Sequence, residues 1–338
     1  MNITNNSNIP LALAVWLVHD EYDYVKANNY VSATKLMKPI RHLVLPGRVP
    51  SAEQEMDLAD YVSRAMGHSL HDSIEKAWIN GKDTNLKKLG YPKAITDRVL
   101  VNPAVADLKP NSIPVYLEQR AFKKVMVGGI EFTIGGKFDM VAEGIVHDNK
   151  STTAMTWLFG TKDDDYKLQG SIYRWLNTNG FADAECTQPL GVDRITENFI
   201  RINFIFTDWS KMMAKQNPNY PQSRCKFKDV PLMSVQETDD WVKAKLADFL
   251  KYAEADEKDI PHCTDEELWI SDPVYKYYAD PAKTSGRSTK NFENATDAKS
   301  FLASKAGKGV LITKPGEPKR CGYCEAFPIC SQKDRYFE

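Results

Sequence analysis

The 338-residue sequence has no excess of charge of either sign: 44 lysines and arginines stand against 45 aspartates and glutamates, a formal net charge of −1. Attraction of a polyanion by the global field is therefore excluded, and any nucleic-acid surface has to come from local clustering. A long apolar run is missing too. The stretch "IPLALAVWLV" near the start has no basic segment before it and "HDEYD" directly after it. It is too short to span a bilayer and wrongly flanked for a secretory signal. The expectation is a cytoplasmic protein with no membrane partner, whose six cysteines are thiols or metal ligands and not a disulfide framework. Internal repeats at solenoid periods are also absent.

What is present suits a globular chain with one large core or two modest ones. Residues 1–55 read as an irregular lead-in, where Ser32 or Thr34 caps a short helix and Pro39 opens or interrupts one. "SAEQEMDLADYVSRAMGHSLHDSIEKAWIN" spaces Met66, Leu70, Ile74 and Ala77 as one face of a long amphipathic helix. From Val115 to Thr153 the apolar period switches to two, broken at Gly128-Gly129 and Glu143-Gly144, which predicts three antiparallel strands. "DDDYKLQGSIYRWLN" predicts a helix burying Leu168, Ile172, Trp175 and Leu176, "RINFIFTDW" a strand, and "SVQETDDWVKAKLADFLKYAEADE" a helix. Beyond residue 257 the texture changes to an appended, cysteine-bearing module.

The chemistry centres on "GGKFDMVAEGIVHDNKSTT". A hairpin turning at Glu143-Gly144 pairs residues whose numbers sum to 287, which sets Asp139 opposite Asp148. Opposed side chains have Cβ atoms about 4.5–5.5 Å apart. Two carboxylates at that range repel unless a cation joins them, and a hard ion such as Mg²⁺ takes such oxygens. Lys150, two residues on, returns to the face of Asp148. Two carboxylates and a lysine are what metal-assisted phosphodiester hydrolysis uses. A bulge at Gly144 would shift the register and separate the acids, and a solvated surface hairpin accounts for D-x-K alone equally well.

The surrounding motifs resemble, in kind and order, those of the RecB-like branch of the PD-(D/E)XK nucleases. They are Gly67 and His71 in "GHSLHDSIE", Glu118 in "VYLEQR", Gly136 and Asp139 in "GGKFD", Asp148 and Lys150 in "HDNKSTT", and Gln169 and Tyr173 in "QGSIY". With "STTAMTW", the last run looks most like phage-type exonucleases of this branch. Asn149 stands where a tyrosine is frequent. The resemblance implies an α/β fold with a central mixed sheet flanked by helices, Mg²⁺ or Mn²⁺ as cofactor and DNA as partner. It implies Asp139 and Asp148 as principal metal ligands, His71 as a further ligand with His68 as competitor, and Lys150 as charge stabiliser. Glu118 becomes a supporting or second-metal ligand. Gln169 and Tyr173, one helical turn apart, contact the DNA backbone or the metal's water.

The end of the chain, "RCGYCEAFPICSQ", carries Cys321, Cys324 and Cys330, three ligands of a tetrahedral thiolate site. AddB-type and CRISPR-associated nucleases of this branch share that spacing and complete an iron–sulfur cluster with an upstream cysteine. This chain has none before Cys186, so either Cys263, with His262 beside it, closes the site within the module, or the site is zinc, or there is none. Thiolate sites suit zinc and a [4Fe-4S] cluster alike. Cys186 and Cys225 read as packing residues. Just before, Lys305, Lys308, Lys314, Lys319 and Arg320 face a single Glu317, a candidate phosphate track whose binding weakens with salt.

The expected architecture is a lead-in over 1–55, a nuclease core over 56–256 and a cysteine module over 257–338. The expected function is a metal-dependent DNA exonuclease in recombination, replication or DNA degradation. It would work in the cytoplasm (the host's, if phage-encoded), with a single-strand-annealing or replication protein as partner. A structure-directed or nicking endonuclease is the nearest alternative, and a non-catalytic DNA-binding scaffold the alternative from another class.

Overall fold

The computed structural model describes residues 2–50 and 55–337. The chain forms two compact units, Met1–Lys38 with Glu55–Lys251, and Pro39–Gln54 with Tyr252–Glu338. The division departs from the expected boundaries, because the lead-in is shared between the two units.

In chain order the elements are β1 (Asn2–Thr4), α1 (Leu11–Val18), β2 (Tyr30–Ser32), α2 (Ala33–Leu36), α3 (Ile40–Val44), β3 (Glu55–Asp57), α4 (Val62–Lys88), α5 (Lys93–Thr96) and β4 (Val99–Val101). Then come β5 (Ile113–Leu117), β6 (Arg120–Val127), β7 (Ile130–Lys137), β8 (Met140–Ala142), β9 (Ile145–Thr152), α6 (Ala154–Phe159), α7 (Asp163–Asn177), β10 (Phe199–Phe206) and α8 (Lys211–Gln216). The last are β11 (Cys225–Pro231), α9 (Val235–Tyr252), β12 (Val274–Tyr278), β13 (Lys290–Phe292), α10 (Ala295–Ser304) and β14 (Val310–Lys314).

The first unit is mixed α/β. A six-stranded sheet runs β11-β10-β9-β8-β5-β4, parallel at β10/β9 and β4/β5 and antiparallel elsewhere, and a smaller sheet runs β2-β7-β6. The segment expected as three strands is thus five, divided between two sheets. Of the breaks at residues 118–119 and 138–139, alternation carries on only through the second, while the polar run Glu118-Gln119-Arg120 interrupts it at the first, a signal the three-strand expectation passed over. At the first break the chain leaves β5 in the large sheet for β6 in the small one, and at the second it returns from β7 to β8. The two crossings bond to each other: the Glu118 N–H donates to the Asp139 carbonyl at 3.0 Å, and the Phe138 N–H to the Gln119 carbonyl at 3.2 Å.

Both hairpin turns have positive φ at each central residue, 58° and 79° at Gly128-Gly129 and 52° and 78° at Glu143-Gly144. Such turns match the twist of the strands they join. The second sets the register Met140↔His147, Val141↔Val146, Ala142↔Ile145, each pair summing to 287 with no bulge.

Helix α7 packs on both sheets, burying Ile172, Trp175 and Leu176 in the main core with Ile200, Ile202, Phe204 and Phe206 of β10. Leu168 of the expected stripe is only partly covered. Three acids fill the first turn of α7, where they complement the helix dipole. Gly136 allows the close approach: a Cβ there would lie 2.8 Å from Leu176 and 3.0 Å from Tyr173.

The expected long helix is present as α4, but it begins at Val62; residues 51–54 of the predicted span lie outside the described residues, and 55–61 form β3 and a 3₁₀ turn. Its covered face matches the expected one in part: Leu70 and Ile74 are half-buried, Met66 and Ala77 face solvent, and Trp78 and Leu86 pack against Val99, Val115 and Leu117. His71 reaches β9 from α4 at Asn149. In the lead-in, Ser32 caps α2 by accepting from the Lys35 N–H at 3.1 Å, and Pro39 opens α3.

The second unit holds the sheet β13-β12-β14 with α10 packed on it through Tyr277 and Phe301, whose rings meet edge-on at 5.1 Å. Three 3₁₀ turns follow between Lys319 and Arg335. Among the described residues no helix is long and apolar enough to cross a membrane.

Candidate active site

The two sheet crossings place Glu118 and Asp139 side by side. Glu118 takes φ 50°, an uncommon conformation for a side chain of this kind, of the sort that persists where surrounding structure enforces it. His71 of α4 completes the group. One ligand atom from each of His71, Glu118 and Asp139 lies within 4.8 Å of the other two. His71 Nδ1 is 3.3 Å from Asp139 Oδ1 and 3.7 Å from Glu118 Oε1.

Backbone and side-chain contacts fix each member. Asp139 Oδ2 accepts from the Asn149 N–H at 2.7 Å, and Glu118 Oε2 lies 2.8 Å from Lys137 Nζ. His71 Nε2 donates to the Asn149 carbonyl at 3.1 Å. A proton held on Nε2 leaves the Nδ1 lone pair for a cation, the usual way a second contact orients a ligating histidine. Without one, hydrogen bonds to Asp139 and then Glu118 push the imidazole pKa up to about 10. Burial pushes the Glu118 carboxyl up, but hydrogen bonds from His71 and Lys137 more than offset it and leave it below its ordinary value.

Asp148 and Lys150 sit on one face of β9, as their spacing requires, with Nζ 2.6 Å from Oδ2. Asp148, expected as a principal ligand, is outside the closest trio, and Glu118, expected in support, is inside it. The reason is where β9 aims the carboxylate: Asp148 is 1% exposed and accepts from Gln169 Nε2 at 3.3 Å. Burial first, partly countered by Lys150, pushes the Asp148 carboxyl up to about 6, and the charge of Asp139 adds to the rise.

Gln169 and Tyr173 are brought together as their spacing implies, Gln169 Nε2 donating to the Tyr173 hydroxyl at 3.0 Å. Tyr173 is 4% exposed, so it supports Gln169 and does not reach a DNA backbone. Burial pushes its hydroxyl pKa up. His68, the competing histidine, is exposed on α4 and outside the trio.

Three contributors escaped the sequence reading. Lys137 had a signal in its place two residues before Asp139. Asn149 serves through its backbone, which no residue type announces, and Asn203 of β10 braces it at 3.1 Å through parallel register with β9.

In the second unit, Cys263, Cys321, Cys324 and Cys330 line one cavity together with Arg41 and Gln332. The Gln332 amide brackets the Cys263 backbone, accepting from its N–H at 2.8 Å and donating to its carbonyl at 2.7 Å. Burial pushes the Cys263 thiol up to about 12, so its thiolate needs a compensating cation. No three of the four Sγ atoms lie within 4.8 Å of one another. Four thiol donors around one cavity suit zinc and an iron–sulfur cluster alike. Cys225, expected as packing, is exposed on β11, and Cys186 is partly covered.

The basic track is largely committed within its own unit. Lys314 pairs with Glu317 at 2.6 Å, and Arg320 lies over Trp269, 4.6 Å from the ring centroid, while donating to the Glu267 carbonyl at 3.0 Å. Lys319 is exposed at the start of a 3₁₀ turn.

No family model matches the sequence. No curated protein matches it either. Among solved structures, the crystal structure of SSO0001 is similar at 14% identity with a TM-score of 0.39, over 72% of this chain and 86% of that one. A likeness that distant bears on neither fold nor function.

Proposed function

We propose that the protein is a Mg²⁺- or Mn²⁺-dependent DNA nuclease of the PD-(D/E)XK type that works from the ends of linear DNA. The observation that carries this reading is the convergence of His71, Glu118 and Asp139, with the buried Asp148 and its partner Lys150 on the neighbouring strand. A divalent ion, when bound, supplies a Lewis acid for the phosphate and lowers the pKa of water. His71, Glu118 and Asp139 are the residues that would hold it. Asn149 keeps two of them in place through its N–H and carbonyl. Lys150, 30% exposed, presents positive charge where negative charge develops on the phosphate, and Asp148 aims it. Gln169, held by Tyr173, fixes Asp148 in turn.

Action from DNA ends rests on the resemblance of "STTAMTW" and "QGSIY" to phage-type exonucleases, as does a role in recombination, replication or DNA degradation beside a single-strand-annealing or replication protein. The four cysteines that line one cavity would hold a separate metal centre, an iron–sulfur cluster or zinc. The test is digestion of end-labelled linear and closed circular DNA, single- and double-stranded, with Mg²⁺, Mn²⁺ or EDTA. The proposal expects metal-dependent loss of linear DNA only, absent in Asp148→Ala. Cutting of circles would replace it with an endonuclease, and binding without cleavage would leave a scaffold on a nuclease fold.

A further inference from the structure

Arg41, on α3, is 1% exposed. Its Nη1 donates to the Ile260 carbonyl at 2.7 Å, and its Nη2 contacts the Glu257 carboxylate. Nε and Nη2 nevertheless make no aligned hydrogen bond, although both are shut off from water. Glu257 is a shared partner: its oxygens also accept from the Ser331 N–H at 3.1 Å and from its Oγ at 3.0 and 2.8 Å. A guanidinium has five donors and keeps its charge at any ordinary pH. A buried charge of this kind is tolerated where an opposite charge meets it.

Glu257 meets that charge in part, its oxygens being shared with Ser331, and leaves the Nε donor without an acceptor. Arg41 lines one cavity together with Cys263, Cys321, Cys324 and Cys330. Four thiolates around an iron–sulfur core give a group of net negative charge. A cation beside such a group favours its more negative, reduced state and raises its reduction potential.

We propose that Arg41 is the buried counter-ion of an iron–sulfur cluster held by Cys263, Cys321, Cys324 and Cys330, and that its charge sets the cluster's reduction potential. Arg41 is a positioning and tuning residue, not a ligand. The inference rests on the metal-centre reading of the cysteines and is independent of the nuclease reading.

The test uses the full chain, purified or reconstituted anaerobically with ferrous iron and sulfide, beside Arg41→Lys and Arg41→Gln. Iron and acid-labile sulfide are assayed, and the cluster is titrated with dithionite while its EPR signal is followed. The wild-type chain is expected to hold iron and sulfide in equal amounts. Arg41→Gln should shift the potential to more negative values, with Arg41→Lys between the two. Should Arg41→Gln not fold, Glu257→Gln serves in its place, with a shift of opposite sign because the field of Arg41 is then less compensated. A wild-type chain that takes up zinc alone, or no metal, overturns the metal-centre reading and the inference with it. A loaded cluster whose potential is the same in every variant overturns the role of Arg41 alone.

Discussion

Lys150 and His71 make separable demands on experiment. Lys150 is not a member of the His71–Glu118–Asp139 trio; it pairs with Asp148 and is 30% exposed. Replacing it with methionine should lower the cleavage rate by about 10²–10³-fold, the usual loss when one charge-stabilising group is removed. Metal affinity, read by calorimetry with Mn²⁺, should barely change; a large loss of affinity would make Lys150 a scaffold of the metal site instead. His71 predicts a proton. Its pKa in the metal-free protein, about 10, means that an ion taking Nδ1 must displace a proton near neutral pH. Calorimetry in buffers of different ionisation enthalpy should show about one proton released per ion, and affinity should rise with pH. Metal-free stability should move the other way. A raised histidine pKa gives stability that is fully present below about 6.5 and is lost as pH rises toward about 10, and His71→Ala should flatten that slope.

At the scale of the element, the site is a consequence of two interrupted strands and one close-packed helix. Gly136→Ala would press a Cβ on Tyr173 and Leu176 of α7, overpacking that costs about 1–3 kcal/mol. Because Gln169 rides on the same helix, cleavage should fall together with the urea midpoint; an unchanged midpoint would contradict the packing account. The elements the sequence made legible are those where period and local chemistry agree: α7 with its apolar stripe, β10 with its alternation, and the β8–β9 hairpin, whose turn residues set its register. The crossings at Glu118 and Asp139 were not legible, because each is a change of hydrogen-bonding partner that residue type does not announce; the run Glu118-Gln119-Arg120 breaks the alternation but names no second sheet. The face of α4 was legible at Leu70 and Ile74 but not at Met66 and Ala77. With no fully buried residue on the helix, its orientation is decided by tertiary contacts at His71 and Trp78 and not by a strong stripe.

For the whole molecule, the near-neutral charge and the internal contacts of Lys314 and Arg320 mean that the DNA binding we propose would rest on a few local cations. The cysteine motif was legible from its spacing, but its placement with residues 39–50 was not, since nothing in that segment's composition marks it as belonging with a unit more than 200 residues later. If a metal centre ties that unit together, Cys324→Ser should open residues 252–337 to limited proteolysis while leaving the first unit protected; an unchanged digestion pattern would mean that the unit stands without metal. The central claim is that His71, Glu118 and Asp139 hold a divalent ion for phosphodiester hydrolysis. The most direct measurement is the rate of hydrolysis of end-labelled linear duplex DNA against Mg²⁺ or Mn²⁺ concentration, for the wild-type chain and for a folded Asp139→Asn variant. The wild-type chain should cleave only with metal, and Asp139→Asn should not cleave at metal levels that saturate the wild type. Cleavage by Asp139→Asn at the wild-type rate, or none by the wild-type chain with either metal, would contradict the account.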